Sequence, residues 1–306
     1  MHFLSRRLGW QEASFEDYIQ AYRLFGGSTL ADPRILHFFH TRHNLNEKFF
    51  IRRNRQKILT GGVCTWKGKY IAGDQKVVKA HQLSRYPLNF DELVLPVSGE
   101  VRTLLPFRTK FLSPLNHTAF LNCSHRLNAG REISIVRTVS QKTRQSRNRE
   151  LKQFLNKGGE VRCVSEYSQD ELISIYARLY FLRRGKQITT EASAELLNEV
   201  PGIMFGKILT FNGTPCAMQW LTKSEDHQCV YLDYINAGMD LSLSSLSVDT
   251  LAAWVNIQAA LSYCQTTGKK MRFSFGRPTA DYKARWFPNP QPLPTSRYEP
   301  LSTKRH

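Results

Sequence analysis

The chain has 306 residues, more than a single core usually fills, so two units of about 150 residues each are expected. Apolar residues make up 41% of it, which excludes wholesale disorder. Most of the net charge of +18 falls in residues 1–157, with 27 Lys/Arg against 11 Asp/Glu, whereas residues 158–306 carry 16 against 14; such a field favours nucleic acid, phospholipid headgroups or phosphorylated glycans.

The opening "MHFLSRRLGWQEASFEDY" lacks the apolar core of a secretory signal, and nowhere do 18 apolar residues run together. Membrane contact is therefore expected to be peripheral. Helices are predicted from about Phe15 to Leu24 and from Pro33 to Arg42, with Pro33 suited to a first turn. "KFFIRR", "KILTGGVCTW" and "KYIAG" read as strands joined by turns at Asn54 and at Lys67-Gly68. Residues 75–125 read as a loop-rich excursion. The segment "VSQKTRQSRNRELKQFLNKGG" (139–159) is a basic connecting helix with a narrow apolar stripe of Leu151, Phe154 and Leu155.

In the second half, "SQDELISIYARLYFLRRG" opens with Ser168 and Glu171 as a capping box, and a second helix follows from about Thr190 to Glu199. "IMFGKILTF" and "PCAMQWLTK" flank Asn212-Gly213, a strong hairpin signal. A third strand, "QCVYLDYIN", precedes a long helix whose apolar spacing runs through Leu251, Trp254, Val255, Ala259 and Leu261 and stops at Gly268. "KMRFSFG" returns as a strand. Two helices followed by three strands, twice in one chain, suggest a duplicated α/β unit. The expected division is 1–138, a connecting helix at 139–159, and 160–306.

The order strand, hairpin, strand, long helix, strand resembles an acyltransferase module of the GCN5-related type. Two such modules in tandem, the second opened by a basic segment, resemble the Fem-type peptidyltransferase group. "FSFGRPTADYKARWF" is similar to that group's "FDFG…FK..W" signature, with Phe273, Gly276, Tyr282, Lys283 and Trp286 in register. Arg147 and Lys152 sit where the group tends to carry cations. "RLNAGREISIVR", "SRNRELKQFLNKGG" and "FLRRGK" resemble the Mig-fourteen family of enteric bacteria. That resemblance implies a protein on the cytoplasmic face of the inner membrane that supports resistance to cationic antimicrobial peptides and survival in the host. A transcriptional role has been suggested for the family, and the resemblance supplies no settled reaction.

The candidate residues follow from their chemistry. Lys283 could stabilise an oxyanion or a substrate phosphate, and Arg277 and Arg285 could bind phosphate as well. Their alternative is a solvated cationic turn anchored by Tyr282 and Trp286 after Gly276. Asp233, inside the apolar run "VYLDYI", suits a general base if burial raises its pKa, or a structural acceptor for a neighbouring loop. Asn236 and Gly238 stand where a GCN5-related module binds the donor pyrophosphate, but the Q/RxxGxG/A pattern is absent, so acyl-CoA is one donor to consider and aminoacyl-tRNA another.

Arg144, Arg147, Arg149 and Lys152 could hold a phosphorylated substrate, an anionic leaflet at about 1 kcal/mol per cation, or nucleic acid. His37, His40 and His43 share a helix face without the further ligands zinc requires, so no metal is expected. The cysteines (Cys64, Cys123, Cys163, Cys216, Cys229 and Cys264) form no CxxC pair and read as free thiols in a reducing cytoplasm. Three classes remain open: a transferase acting on an envelope component, a non-enzymatic anion-binding protein on a decayed transferase fold, and a DNA-binding regulator.

Overall fold

A computed structural model describes residues 8–124, 132–137, 139–278, 291–292 and 295–296. The first unit opens with β1 (Trp10–Ala13), which pairs antiparallel with β2 (Lys48–Arg53). Between them, α1 (Phe15–Phe25) starts at a Ser14–Asp17 capping box, and α2 (Pro33–Arg42) starts at Asp32, whose side chain accepts from the Arg34 amide. The sheet continues through β3 (Leu59–Trp66) to β4 (Tyr70–Ile71), all antiparallel. Lys67 and Gly68 take positive φ at the β3–β4 turn, as the sequence predicts there.

Residues after the short helix α3 (Gln75–Ala80) are indeed poor in regular structure. They pack nonetheless: Leu93, Leu105, Phe107 and Leu112 are buried, held by isolated bridges such as Leu93 to Leu112. Two small ladders, β5 (Cys123–Ser124) with β13 (Thr295–Ser296) and β6 (Glu132–Ile133) with β12 (Gln291–Pro292), bring the end of the chain back to the first unit.

Helix α4 (Gln141–Asn156) is capped by Ser140 and leads into β7 (Gly159–Cys163). The second unit then runs α5 (Gln169–Arg184), α6 (Glu191–Glu199), β8 (Lys207–Phe211), β9 (Thr214–Glu225), β10 (Cys229–Met239), α7 (Val248–Thr267) and β11 (Lys270–Ser274). Sheet order is β11-β10-β9-β8-β7, antiparallel except that β10 and β11 run parallel. A parallel pair needs a crossover, and α7 supplies it. The β8–β9 turn places Asn212 and Gly213 at positive φ, the requirement of a tight primed turn.

This is the acyltransferase-like arrangement expected from sequence. The first unit repeats its opening, strand, two helices and an antiparallel meander, and lacks a long crossover helix among the described residues. One apolar cluster runs through both units, joining Trp10, Phe39, Trp66 and Phe107 to Tyr176, Leu196 and Trp220. All six cysteines are free.

Candidate functional site

The β10–α7 junction is where an acyltransferase module would receive a donor pyrophosphate. Several of its polar groups are engaged by the chain itself, although the N-cap of α7, Ser247, makes no side-chain capping bond. Asn236 Oδ1 accepts from the Ala237 amide at 2.9 Å and from Arg183 Nη1 at 3.3 Å. The Asp240 amide donates to the Cys216 carbonyl, the Ser242 amide to Asp240 Oδ1, and the Ser247 amide to the Ser244 carbonyl. Asp249 in the first turn of α7 adds a negative charge where phosphates would have to sit. Gly238 is required by close packing, since a Cβ there would lie 2.6 Å from Leu179 Cβ and 2.7 Å from the Tyr180 nitrogen.

Beyond Asp233 and Ser274 the β10–β11 pairing ends. Residue Ile235 is the extra one in a register shift of β10. Tyr234 and Phe275 stack in this region, centroids 4.8 Å apart and planes within 10°. Residues 134–136 pair along the outer edge of β11, with the Val136 amide donating to the Phe273 carbonyl.

Asp233 lies inside the seam between the units. Its Oδ1 accepts from Asn89 Nδ2 at 2.7 Å and its Oδ2 from Thr29 Oγ1 at 2.9 Å. Burial raises its pKa to about 6, against the two hydrogen bonds, with Glu92 raising it further and Arg272 lowering it. Arg272 on β11 makes a buried two-pronged pair with Glu92, its Nε 3.3 Å from Oε2. Arg277 pairs with Asp91 at 3.0 Å at the seam's edge, beside Gly276, which sits at φ +68°. The raised pKa matches the sequence reading of Asp233, and the geometry makes this carboxylate an interior acceptor for the first unit. Tyr282, Lys283, Arg285 and Trp286 lie outside the described residues.

The four basic residues chosen on α4 separate into three environments. Arg147 pairs with Glu150 at 2.6 Å. Arg149 and Lys152 are exposed, as is Lys142, and none of the three has a partner among the described residues. Arg144 instead lines a concavity of about 480 Å³ with Val139, Gln141, Gln145 and Asn148. The helix is fixed by Phe154, which packs against Val248, Leu251 and Ala252, and by Trp254 Nε1, which donates to Asn148 Oδ1 at 2.9 Å.

The three histidines of α2 and its C-cap have separate occupations. His37 stacks on Phe15, His40 Nε2 accepts from Trp66 Nε1 at 3.0 Å, and His43 Nε2 meets the Tyr86 hydroxyl at 3.2 Å. Burial lowers the pKa of His40 to about 4. No group of three or more metal-binding side chains occurs among the described residues. Thr29, Asn89, Glu92, Arg272 and Asn148 escaped sequence reasoning. Arg272 carried a usable signal, a cation in the middle of the apolar strand "MRFSF", whereas Asn89 and Glu92 lie in irregular chain with no period to betray them.

The fold defines a protein of the acyltransferase-like α/β class, with a second unit complete in topology. The profile of the Mig-14 family matches residues 32–297, and the chain belongs to that family. No curated protein matches the sequence. Among solved structures, the chain is similar to the C-terminal domain assigned to a putative lysylphosphatidylglycerol synthetase of Agrobacterium fabrum, at 12% identity, TM-score 0.46, and 93% coverage of both chains. It is also similar to L-PGS from Bacillus licheniformis, at 11% identity and TM-score 0.45, covering 93% of this chain and 92% of that one. A tandem GNAT protein from the clavulanic acid biosynthesis pathway matches at 9% identity and TM-score 0.40, covering 94% and 95%. No helix among the described residues is long and apolar enough to cross a membrane.

Proposed function

We propose that this protein works at the cytoplasmic face of the inner membrane, where it transfers an acyl or aminoacyl group to an anionic envelope component and so supports resistance to cationic antimicrobial peptides. The observation that carries the reading is the pairing of a complete acyltransferase-like sheet with a helix whose exposed cations, Lys142, Arg149 and Lys152, are unpartnered among the described residues. Attaching a cationic aminoacyl group to an envelope anion offsets its negative charge and lowers its attraction for cationic peptides, which links reaction to resistance. Lys283 and Arg285, beside the Asp91–Arg277 pair in sequence, would hold the anionic part of donor or acceptor.

The stacked Tyr234 and Phe275 at the end of the sheet favour a second reading, a non-enzymatic anion-binding protein on the same fold. Thermal-shift titration of the purified protein with acetyl-CoA, longer acyl-CoA, aminoacyl-tRNA and anionic vesicles separates the two. The transferase reading expects stabilisation by aminoacyl-tRNA that Lys283→Ala abolishes, with vesicle binding intact. Vesicle binding lost on neutralising Lys142, Arg149 and Lys152, with no response to any donor, would leave only the binding protein.

A further inference from the structure

Helix α4 presents two chemically different sides. Lys142 and Arg149 lie on its outward side, while Gln141, Arg144, Gln145 and Asn148, at helical spacings of three and four, all line the concavity of about 480 Å³, with Lys152 one turn beyond Asn148 on that same face. Val139, which packs against the apolar cluster of β10, β11 and α7, supplies the apolar part of the lining. That volume lies within the range of small-ligand sites.

The amide of Asn148 has a defined orientation. Trp254 Nε1 donates to its Oδ1 at 2.9 Å and Gln258 Nε2 donates to the same oxygen at 3.3 Å. Trp254 Nε1 can only donate, so the oxygen must face α7, leaving Nδ2 as a donor toward the concavity. The Arg144 guanidinium and the Gln141 and Gln145 amides have no partner among the described residues. Among the described residues that line the concavity none is a carboxylate, and Glu150 further along the helix is held by Arg147. The lining therefore offers one fixed positive charge and several amide donors.

We propose that this concavity is a binding site for a singly charged phosphate, with the Arg144 guanidinium taking two of its oxygens and the Asn148 and Gln145 amides the remaining lone pairs. One cation balances one negative charge, which matches a phosphodiester or monobasic phosphate. The same chemistry is carried by a phospholipid headgroup and by free phosphate. The site is distinct from the outward cations Lys142 and Arg149 and stands whether or not these attach the protein to a membrane.

Calorimetric titration of the full chain with glycerophosphoglycerol and with inorganic phosphate tests it. Binding of the diester at least tenfold tighter than of phosphate assigns a headgroup, and the reverse order assigns free phosphate; either upholds the site. Arg144→Ala should weaken binding by about tenfold or more, since a hydrogen bond to a charged group is worth roughly 1.5–3 kcal/mol. Asn148→Asp is the sharper probe, because it keeps the acceptor for Trp254 and Gln258 and replaces the inward donor by a negative oxygen. It should abolish binding while the melting temperature stays within a few degrees, and Lys142→Ala with Arg149→Ala should leave binding unchanged. The proposal is overturned if neither probe binds at 10 mM (about 2.7 kcal/mol on the standard scale). It is equally overturned if Arg144→Ala and Asn148→Asp bind as the unaltered protein does, or if the Lys142 and Arg149 changes weaken binding as much as Arg144→Ala.

Discussion

Asn89 and Asp233 meet across the seam between the two units, the Asn89 amide donating to the buried carboxylate at 2.7 Å. Folding carries this carboxylate from an ordinary pKa of 3.8 to about 6. A group whose folded pKa is raised adds stability that is present below the unfolded value and lost as pH rises through the folded one. Relative to Asp233→Asn, the unaltered protein should therefore gain about 1.4 kcal/mol in stability as pH falls from 8 to 5. Urea unfolding of both forms at pH 8, 7, 6 and 5 measures the difference, and a flat difference would show that Asp233 does not hold its proton in the seam.

Arg272 and Glu92 form the second buried contact of the seam. Removing one member leaves the other buried and unpaired, which costs about 3–5 kcal/mol, while exchanging both for uncharged residues of similar volume costs far less. Glu92→Gln with Arg272→Met should thus be closer to the unaltered protein than Arg272→Met alone. Arg272 also lowers the pKa of Asp233, so Arg272→Met should shift the pH midpoint of the preceding experiment upward. An unchanged midpoint would mean that the two groups do not sense each other.

How much of this the sequence showed depends on whether a feature is local. The longer helices of both units, the Asn212-Gly213 turn, the Gly268 stop and the crossover order were legible because caps, turn residues and periodicity act within a few residues. The short strands β1 and β7 were not, since each is defined by its partner strand: Trp10 faces Arg52, and Val161 faces Leu209. Residues 75–125 read as a loop-rich excursion; that reading missed the helix α3 (Gln75–Ala80) and hid the contribution of Leu93, Leu105 and Phe107 to the core, where isolated bridges replace a ladder. Asp233 was conspicuous as an acid in an apolar strand, whereas its partners Thr29 and Asn89 come from 204 and 144 residues away. The division of the α4 cations into paired, outward and concavity-lining groups depends on what packs against the helix, which a charge count cannot show.

Asn256, fully buried in the middle of α7, fastens the crossover helix to the sheet. Its Oδ1 accepts from the Lys207 amide at 2.6 Å and its Nδ2 donates to Gln219 Oε1 at 3.1 Å. Asn256→Ala leaves a backbone amide and a glutamine oxygen buried without partners, at about 1–3 kcal/mol each. Chemical denaturation should register a loss of that order, and hydrogen exchange should quicken at the Lys207 amide. A loss below about 0.5 kcal/mol would mean that water replaces both bonds.

Gly238 gives the clearest test of structural against donor-binding roles at the β10–α7 junction. A methyl group there meets Leu179 Cβ at 2.6 Å and the Tyr180 nitrogen at 2.7 Å, and backbone atoms of α5 cannot swing aside as a flexible side-chain end would. Overpacking of this kind costs about 1–3 kcal/mol. Gly238→Ala should therefore lower stability by that amount, while Gly99→Ala, where nothing lies within 4 Å, should leave it unchanged. If Gly238→Ala kept full stability but lost the thermal response to a donor, the residue would be a donor contact. A stability loss with any donor response preserved in the folded fraction makes it the point where α5 closes on the sheet.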